Sequence, residues 1–346
     1  MKRRNYIKLL GASALLSQIN LKSNTSTETS GRTLIKPNKL SDGNKVAIIA
    51  PASAVSSPDD IFKANEIVKY LKLEPIFAKN LLSGSGYKTR TIQERIEDLH
   101  WAFEDEEIKA VFCIRGGYGS SSLLEHIDYE LIADNPKIFC GYSDITAIHL
   151  AINKFSNLVT FHGPVMLSSF DGITLQSFKD IFFENKTPTY QNPINKEIRN
   201  SYQTYSIKEG ENEGELIGGN LSLLSSLMGT PFQPDVKNKI LFIEDTGEEP
   251  YRIHRMLVQL EQSGMLKSIS GLVIGQCTDC NKNSGSTWDM SEMEAYYDIL
   301  SKYNYPIFYG LLIGHTSNQF TLPLGIKVKI NSIENSLTIL ENSLNN

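Results

Sequence analysis

The chain has 346 residues, of which 40% are hydrophobic and 21% charged, and its formal net charge is −5. This composition excludes a disordered or fibrous protein, and a mildly negative chain without a long basic run is not expected to bind nucleic acid. No apolar stretch reaches the roughly 18–20 residues that span a bilayer, so we expect no membrane span, and the length suggests about two domains.

The first predicted element is a basic leader. Residues 1–37 hold seven Lys and Arg residues against one Glu, so the rest of the chain has a formal net charge of −11. Residues 2–11 read KRRNYIKLLG, and a short, weakly apolar run follows. Paired arginines before such a run resemble a twin-arginine export signal, and the Ser-, Thr- and Asn-rich residues 17–37 predict a disordered spacer. We therefore expect an exported, periplasmic protein, the alternative being a cytoplasmic one.

From residue 44 to residue 161, short apolar runs alternate with amphipathic segments. The apolar runs predict strands at residues 45–50, 73–78, 110–114, 137–140 and 158–161. Helical spacing of apolar residues predicts helices at residues 58–71, 91–103 and 145–155. This alternation predicts an α/β domain with a parallel sheet and helices on both faces, which we place at residues 38–170.

The second half has a different pattern. A predicted helix at 174–184 and a polar, proline-containing stretch occupy residues 171–200, which we interpret as a linker. We assign residues 201–346 to a second domain, with a hairpin at 205–216 and another at the C-terminus. Its other predicted strands are 239–244, 271–277 and 307–313, and its predicted helices are 221–227, 251–266 and 293–303.

Three polar residues stand at or just after the ends of predicted strands, where open α/β sheets bind their ligands. Ser143 lies where a strand gives way to a helix, as in a nucleophile elbow, although Ile145 replaces the second glycine of that motif. Glu244 could orient a histidine, and His315 could transfer a proton because its pKa lies near neutrality. Each has a simpler alternative, since serines and acids cap helices and single histidines are often structural.

Three further features could contribute to a site. The glycines in residues 115–119 (RGGYG) let backbone N–H groups approach an anion, either a phosphate or an oxyanion, although the dinucleotide fingerprint and the P-loop lysine are absent. His162 also follows a strand and is a candidate site-lining residue. Cys277 and Cys280 form a single C-x-x-C without the second pair of a zinc site, which leaves a disulfide open. The other two cysteines lie in apolar runs and are expected in the core.

At these residues the sequence resembles the LD-carboxypeptidase family of serine peptidases, which also contains the microcin-immunity hydrolases. The matching motifs run in family order, and they are residues 46–53 (VAIIAPAS), 115–119 (RGGYG), 141–146 (GYSDIT), 218–222 (GGNLS), 241–245 (LFIED), 314–315 (GH) and 322–325 (LPLG). The resemblance implies a Rossmann-like N-terminal domain, a mixed α/β C-terminal domain, and a site between them. It also implies no metal or organic cofactor and a homodimer. Because Cys277 replaces an aromatic residue of the family, the resemblance implies that the C-x-x-C is incidental.

The resemblance also implies roles for individual residues. Ser143 would be the nucleophile, His315 the general base and acid, and Glu244 the residue that orients His315. The backbone amides of Gly117 and Asp144 would form the oxyanion hole.

We therefore expect a serine carboxypeptidase that releases D-Ala from murein tetrapeptides in cell-wall turnover or recycling. Arg115 is a candidate for binding the terminal carboxylate. One alternative is a microcin-immunity-type amidase that cleaves peptide or acyl-nucleotide conjugates, with Trp288 as a candidate for stacking on a base. Another is an exported binding protein without catalysis, in which Ser143, Glu244 and His315 would lie far apart.

Overall fold

The computed structural model describes residues 33–55, 57–82, 90–193, 203–280 and 290–346. The predicted export signal, most of the predicted spacer, and Trp288 lie outside the described residues. No helix in the described ranges is both long enough and apolar enough to cross a membrane.

Strands and helices alternate through the first half of the chain, as its apolar pattern predicts. The strands are β1 (Lys45–Ile49), β2 (Glu74–Phe77), β3 (Ile108–Cys113), β4 (Ile138–Gly141), β5 (Thr160–His162), β6 (Thr189–Tyr190), β7 (Tyr205–Lys208), β8 (Glu211–Asn220), β9 (Ile240–Glu244), β10 (Gly271–Gly275), β11 (Ile307–Leu311), β12 (Leu322–Leu324), β13 (Lys327–Asn331) and β14 (Ser336–Ile339). The helices are α1 (Pro58–Tyr70), α2 (Ile92–Glu104), α3 (Tyr129–Asp134), α4 (Thr146–Ser156), α5 (Gly172–Phe182), α6 (Leu221–Ser226), α7 (Pro250–Gln262), α8 (Met265–Ser268) and α9 (Glu292–Leu300).

The first sheet has the strand order β12-β5-β4-β3-β1-β2, and its strands are parallel except for β12. Four of the five residues of β1 and five of the six of β3 are buried. Such continuous burial is typical of central parallel strands, which have neighbours on both sides and are covered on both faces. Helix boundaries follow ordinary capping rules: α1 begins at Pro58, and a capping box between Thr91 and Glu94 starts α2.

The second sheet has the strand order β6-β14-β13-β8-β9-β10-β11-β7 and is mixed. The strand β8 pairs antiparallel with β13 along one half and parallel with β9 along the other. The prediction of a hairpin at 205–216 is wrong, because β7 pairs with β11 at the far edge of the sheet. Leu216 and Ile217 are buried, so β8 takes a central position, whereas the more exposed β7 suits an edge.

Two elements cross the predicted domain bounds. The helix α5 lies in the predicted linker, but Phe178 and Phe182 pack on Phe112 of β3 with ring centroids 5.5 and 6.1 Å apart. The helix joins the first sheet because its apolar face needs burial. In addition, β12 comes from the C-terminal half of the chain and pairs antiparallel with β5 in the first sheet. The chain therefore connects the two sheets more than once.

The four cysteines divide into two kinds. Cys113 and Cys140 are free and buried in the core, as predicted. Cys277 and Cys280 form a disulfide in the turn after β10, where their Cα atoms lie 5.6 Å apart. The expectation that the C-x-x-C is incidental is therefore wrong, since the turn brings the two sulfur atoms together.

Candidate active site

Ser143 occupies a sharp turn between β4 and α4. Its φ angle is +66°, in the left-handed region, and a short helical turn leads from it into α4. This backbone conformation costs a non-glycine residue about 1–2 kcal/mol, and such strain is often found at functional sites. Gly116 permits the close approach of the neighbouring loop, because a Cβ atom at Gly116 would lie 2.9 Å from the Ser143 Cβ. The loop after β3 therefore packs directly on Ser143.

Glu244 and His315 come from the second sheet. Glu244 is the last residue of β9 and is buried, and His315 follows the end of β11. The His315 Nδ1 lies 2.7 Å from the Glu244 Oε2, and the His315 backbone N–H donates to the same oxygen at 3.3 Å. Two bonds to one carboxylate oxygen fix both the backbone and the ring of the histidine.

The two sheets meet at a hydrogen bond between Ser143 and His315. The His315 Nε2 lies 3.0 Å from the Ser143 Oγ, although the two residues are 172 positions apart in the sequence. The ring of Tyr142 packs edge-on against the imidazole, with centroids 4.9 Å apart. The structure thus brings together the three polar residues that the sequence places at strand ends. This contradicts the binding-protein alternative, which requires them to lie far apart.

The protonation of His315 depends on two opposed effects. Burial lowers the pKa of His315, but the charge of Glu244 and its hydrogen bond outweigh burial, so the net pKa lies above the ordinary value. For Glu244, burial raises the pKa, but the charge of His315 and the hydrogen bond to it outweigh burial. The net pKa of Glu244 therefore lies below its ordinary value, and the carboxylate stays ionised. The ionised Glu244 accepts a hydrogen bond from the His315 Nδ1–H, which leaves Nε2 unprotonated and able to accept the Ser143 proton.

The candidate oxyanion donors, Gly117 and Asp144, lie in the loop after β3 and in the turn that carries Ser143. Gly117 lines the cleft, and Asp144 directly follows the serine within the helical turn Ser143–Ile145. The Asp144 carboxylate is buried and accepts from the Ser120 backbone N–H at 2.7 Å, which ties the glycine loop to the serine turn. Ser53 supports the same loop, since its hydroxyl accepts from the Tyr118 N–H at 3.0 Å. Ser53 lies in a matching motif, but its role has no local signal in the sequence.

A cleft of about 400 Å³ opens above Ser143. Its described lining residues are Asp60, Arg115, Gly116, Gly117, Tyr142, Ser143, Val165, Leu167, Ser168 and His315. Arg115, the candidate for binding the terminal carboxylate, is therefore among the residues that line the cleft. His162 does not line it: the ring is fully buried beside Tyr142 and Phe242, and burial lowers its pKa to about 4, so His162 is neutral. Within the described ranges no cluster of His, Cys, Asp and Glu could hold a metal ion.

Gly314 has a φ of +75°, and a Cβ atom there would lie 2.0 Å from the Glu244 Oε2. We expect Gly314→Ala to displace the Glu244 carboxylate. A shift of about an ångström in the position of a catalytic group should lower kcat for the expected D-Ala release by roughly 100-fold. Gly229→Ala is the matched control, because Gly229 has a φ of +78° with open space at its Cβ position. Both variants carry the same backbone strain, so equal kcat values in a steady-state assay would contradict this role of Gly314.

Known proteins resemble the chain along most of its length. The family model described as the LD-carboxypeptidase N-terminal domain matches residues 46–163, and the model of the C-terminal domain matches residues 213–330. A probable murein peptide carboxypeptidase of Bacillus subtilis is 38% identical over 309 residues, which cover 88% of this chain and 94% of that protein.

Solved structures resemble the fold as well. The microcin C7 self-immunity protein MccF in complex with glutamyl sulfamoyl guanosine is similar with a TM-score of 0.81 and 26% identity, covering 90% of this chain and 100% of MccF. The muramoyltetrapeptide carboxypeptidase from Oxalobacter formigenes is similar with a TM-score of 0.71 and 29% identity, covering 85% of this chain and 97% of that one.

Proposed function

Because the chain belongs to the LD-carboxypeptidase family and is a serine-type hydrolase, we propose that it releases the terminal D-Ala from murein tetrapeptides. We further propose that Ser143, His315 and Glu244 are its catalytic residues. The observation that carries the proposal is the continuous hydrogen-bonded chain from the Ser143 Oγ through the imidazole to the Glu244 carboxylate, which opens onto the cleft. The murein substrate follows from relatives that are named for it.

The first half of the reaction forms an acyl-enzyme. The Ser143 Oγ attacks the carbonyl carbon of the scissile amide while the His315 Nε2 takes the hydroxyl proton. The negative charge on the carbonyl oxygen is stabilised by the amides of Gly117 and Asp144. His315 then donates the proton to the departing nitrogen, the C–N bond breaks, and D-Ala leaves with a neutral amine.

The second half returns the enzyme to its starting state. A water molecule takes the place of D-Ala, gives a proton to His315, and attacks the ester carbonyl. The proton passes back to the Ser143 Oγ when the C–O bond breaks, so no net proton stays on the enzyme. Glu244 stays ionised throughout and stabilises the imidazolium that forms in each half.

Arg115 is proposed to bind the free carboxylate of the terminal residue. It directly precedes Gly116, which packs on Ser143, and its side chain lines the cleft. A guanidinium is well suited to a carboxylate, which it can bind through two parallel hydrogen bonds.

Mass spectrometry of murein tetrapeptide incubated with the purified protein tests the function. We expect loss of one alanine, and we expect none from the same peptide with its terminal carboxylate converted to an amide. A microcin-immunity-type amidase is the second candidate, favoured by the structural similarity to MccF. Turnover of an aminoacyl sulfamoyl nucleoside without turnover of the tetrapeptide would support that candidate, and turnover of neither would contradict both proposed substrates.

The pH dependence of kcat/KM follows from the raised pKa of His315. Only the unprotonated imidazole accepts the serine proton, so activity rises with pH as His315 loses its proton. We expect the midpoint of this rise above about 6.5, the ordinary value for histidine. Values of kcat/KM measured across a pH series at constant ionic strength give this midpoint. A midpoint below that value would show that Glu244 does not act on His315 as described.

Two further proposals concern the whole chain. We propose that the basic leader exports the protein to the periplasm, and fractionation of cells that express the full chain tests this. We also propose a homodimer, as the family resemblance implies, and light scattering of the purified protein tests it.

A further inference from the structure

The turn after β10 lies between the two segments that carry Glu244 and His315. In the second sheet, β10 pairs parallel with β9 on one side and with β11 on the other, so the carboxyl ends of these three strands lie at one edge. Glu244 is the last residue of β9, and His315 follows β11. The turn after the middle strand is therefore placed to contact both segments, although it holds none of the three proposed catalytic residues.

Thr278, in this turn, is hydrogen-bonded to both neighbouring segments. Its hydroxyl donates to the His315 carbonyl at 2.7 Å. Its own carbonyl accepts from the Gly247 N–H at 2.8 Å and from the Thr246 hydroxyl at 3.0 Å, shortly after the end of β9. The backbone of His315 is thus held at its N–H by the Glu244 carboxylate and at its carbonyl by the Thr278 hydroxyl.

The Cys277–Cys280 disulfide closes the same turn around Thr278. Both cysteines are buried, whereas Thr278 is half-buried and Asp279 is exposed. Asp279 has a φ of +63°, in the left-handed region that a non-glycine residue adopts only at a cost. A covalent bond between the residues that flank Thr278 and Asp279 restricts the conformations open to the turn. The position of the Thr278 hydroxyl therefore depends on this bond.

We propose that Thr278 is a positioning residue for His315 and that the Cys277–Cys280 disulfide holds Thr278 in place. The hydroxyl keeps the His315 backbone, and with it the imidazole, at the distance from the Ser143 Oγ that proton transfer requires. This inference rests on the proposed catalytic role of His315 and adds a redox requirement to it. Full activity is then expected only in an oxidising compartment, where disulfides persist, and the export proposed above would deliver the chain to one.

Thr278→Val tests the hydroxyl, because valine has nearly the same shape but cannot donate to the His315 carbonyl. We expect kcat to fall by roughly tenfold, the effect of one hydrogen bond lost behind a catalytic group, while KM changes by less than about twofold. Thr278→Ser keeps the donor and should recover kcat to within about threefold of the wild type.

Thr230→Val is the matched control for this substitution. The Thr230 hydroxyl also donates to a backbone carbonyl at 2.7 Å, that of Leu227, and Thr230 is half-buried like Thr278. It is not among the residues that line the cleft. The variant loses the same kind of hydrogen bond and should keep the wild-type kcat.

Reduction of the purified protein with dithiothreitol tests the disulfide. One thiolate of the reagent attacks a cysteine sulfur and displaces the other cysteine as a thiolate, and the second thiolate of the reagent then releases the first cysteine and closes the reagent's own disulfide. Two electrons and two protons thus pass to the protein, which gains two thiols. We expect kcat to fall by roughly three- to tenfold, at most the effect of losing the Thr278 hydroxyl, and to return on reoxidation.

The double variant Cys277→Ser, Cys280→Ser is the control for the reagent. Its kcat should equal that of the reduced wild type, and dithiothreitol should not lower it further, although it retains the buried free thiols Cys113 and Cys140. Counting of thiols by alkylation and mass spectrometry establishes the redox state of each sample. Thermal melts show whether the reduced protein and the variants stay folded.

The outcomes separate this inference from the function beneath it. The assay uses murein tetrapeptide or, where the wild type does not cleave it, an aminoacyl sulfamoyl nucleoside, because His315 has the same role in both candidate reactions. Wild-type kcat in Thr278→Val, or an equal loss in Thr278→Ser or Thr230→Val, overturns the positioning role and leaves the hydrolase function standing. Unchanged kcat in the reduced wild type and in the double cysteine variant overturns the role of the disulfide. Turnover of neither substrate by the wild type overturns the inference together with the proposed function.

Discussion

Ser143→Ala is expected to abolish D-Ala release, with kcat lower by on the order of 10⁴- to 10⁶-fold, while the protein stays folded. The reason is the loss of the Ser143 Oγ, which lies 3.0 Å from the His315 Nε2 and forms the acyl-enzyme in the proposed mechanism. The remaining cleft can still bind the peptide, so KM should change far less than kcat. A discontinuous assay of D-Ala by mass spectrometry, run for hours at high enzyme concentration, covers this range.

Two companion variants make the result interpretable. Ser168→Ala removes another hydroxyl that lines the same cleft and should lower kcat at most a few-fold. Ser143→Gly should be as inactive as Ser143→Ala but more stable to unfolding than it by about 1 kcal/mol, because glycine adopts a φ of +66° without strain. Substantial turnover by Ser143→Ala would remove Ser143 from the mechanism.

Glu244→Gln should lower kcat by on the order of 10³- to 10⁴-fold. The amide keeps the size of the side chain but not its charge, so it neither stabilises the imidazolium nor holds the proton on Nδ1. The pH profile of the residual activity should change in a defined direction. With the carboxylate gone, burial remains the main influence on the pKa of His315, so the midpoint of the acid limb should move to lower pH.

Asp245→Asn is the control for this substitution. Asp245 is adjacent to Glu244, but its carboxylate accepts from the Asn220 side chain and from the Ser222 backbone and hydroxyl, not from His315. Burial raises the pKa of Asp245 to about 6. We expect its loss to lower thermal stability at the start of α6 and to leave most of kcat. Equal effects of the two substitutions on kcat would contradict the separate roles.

The alternation of strands and helices could be predicted from the sequence because each element carries its own local signal. The apolar run of β4, the glycine after it and the helical spacing of α4 place Ser143 at a strand-to-helix turn before any contact is known. The same holds for Glu244 and His315, each at the end of a buried run. The carboxyl ends of neighbouring parallel strands lie at one edge of a sheet, so polar residues there converge.

What could not be predicted depends on pairing at long range. Residues 205–216 have a local turn signal, but burial of Leu216 decides which strand β8 joins. The three residues of β12 are too few to show a period, and their partner β5 lies about 160 positions away in the sequence. Asp60 shows no signal of a site either, because it becomes a lining residue only when the segment after β1 meets the loop after β3.

The return of the chain to the first sheet has a mechanical consequence. His315 lies on the segment between β11 of the second sheet and β12 of the first, so the base is carried on a tether anchored at both ends. The distance between His315 and Ser143 is thus fixed both by the chain segment that joins β11 to β12 and by the packing of the two halves against each other. Any separation of the two halves would lengthen the distance between the Ser143 Oγ and the His315 Nε2. Proton transfer, and with it turnover, should therefore be lost as soon as the halves move apart.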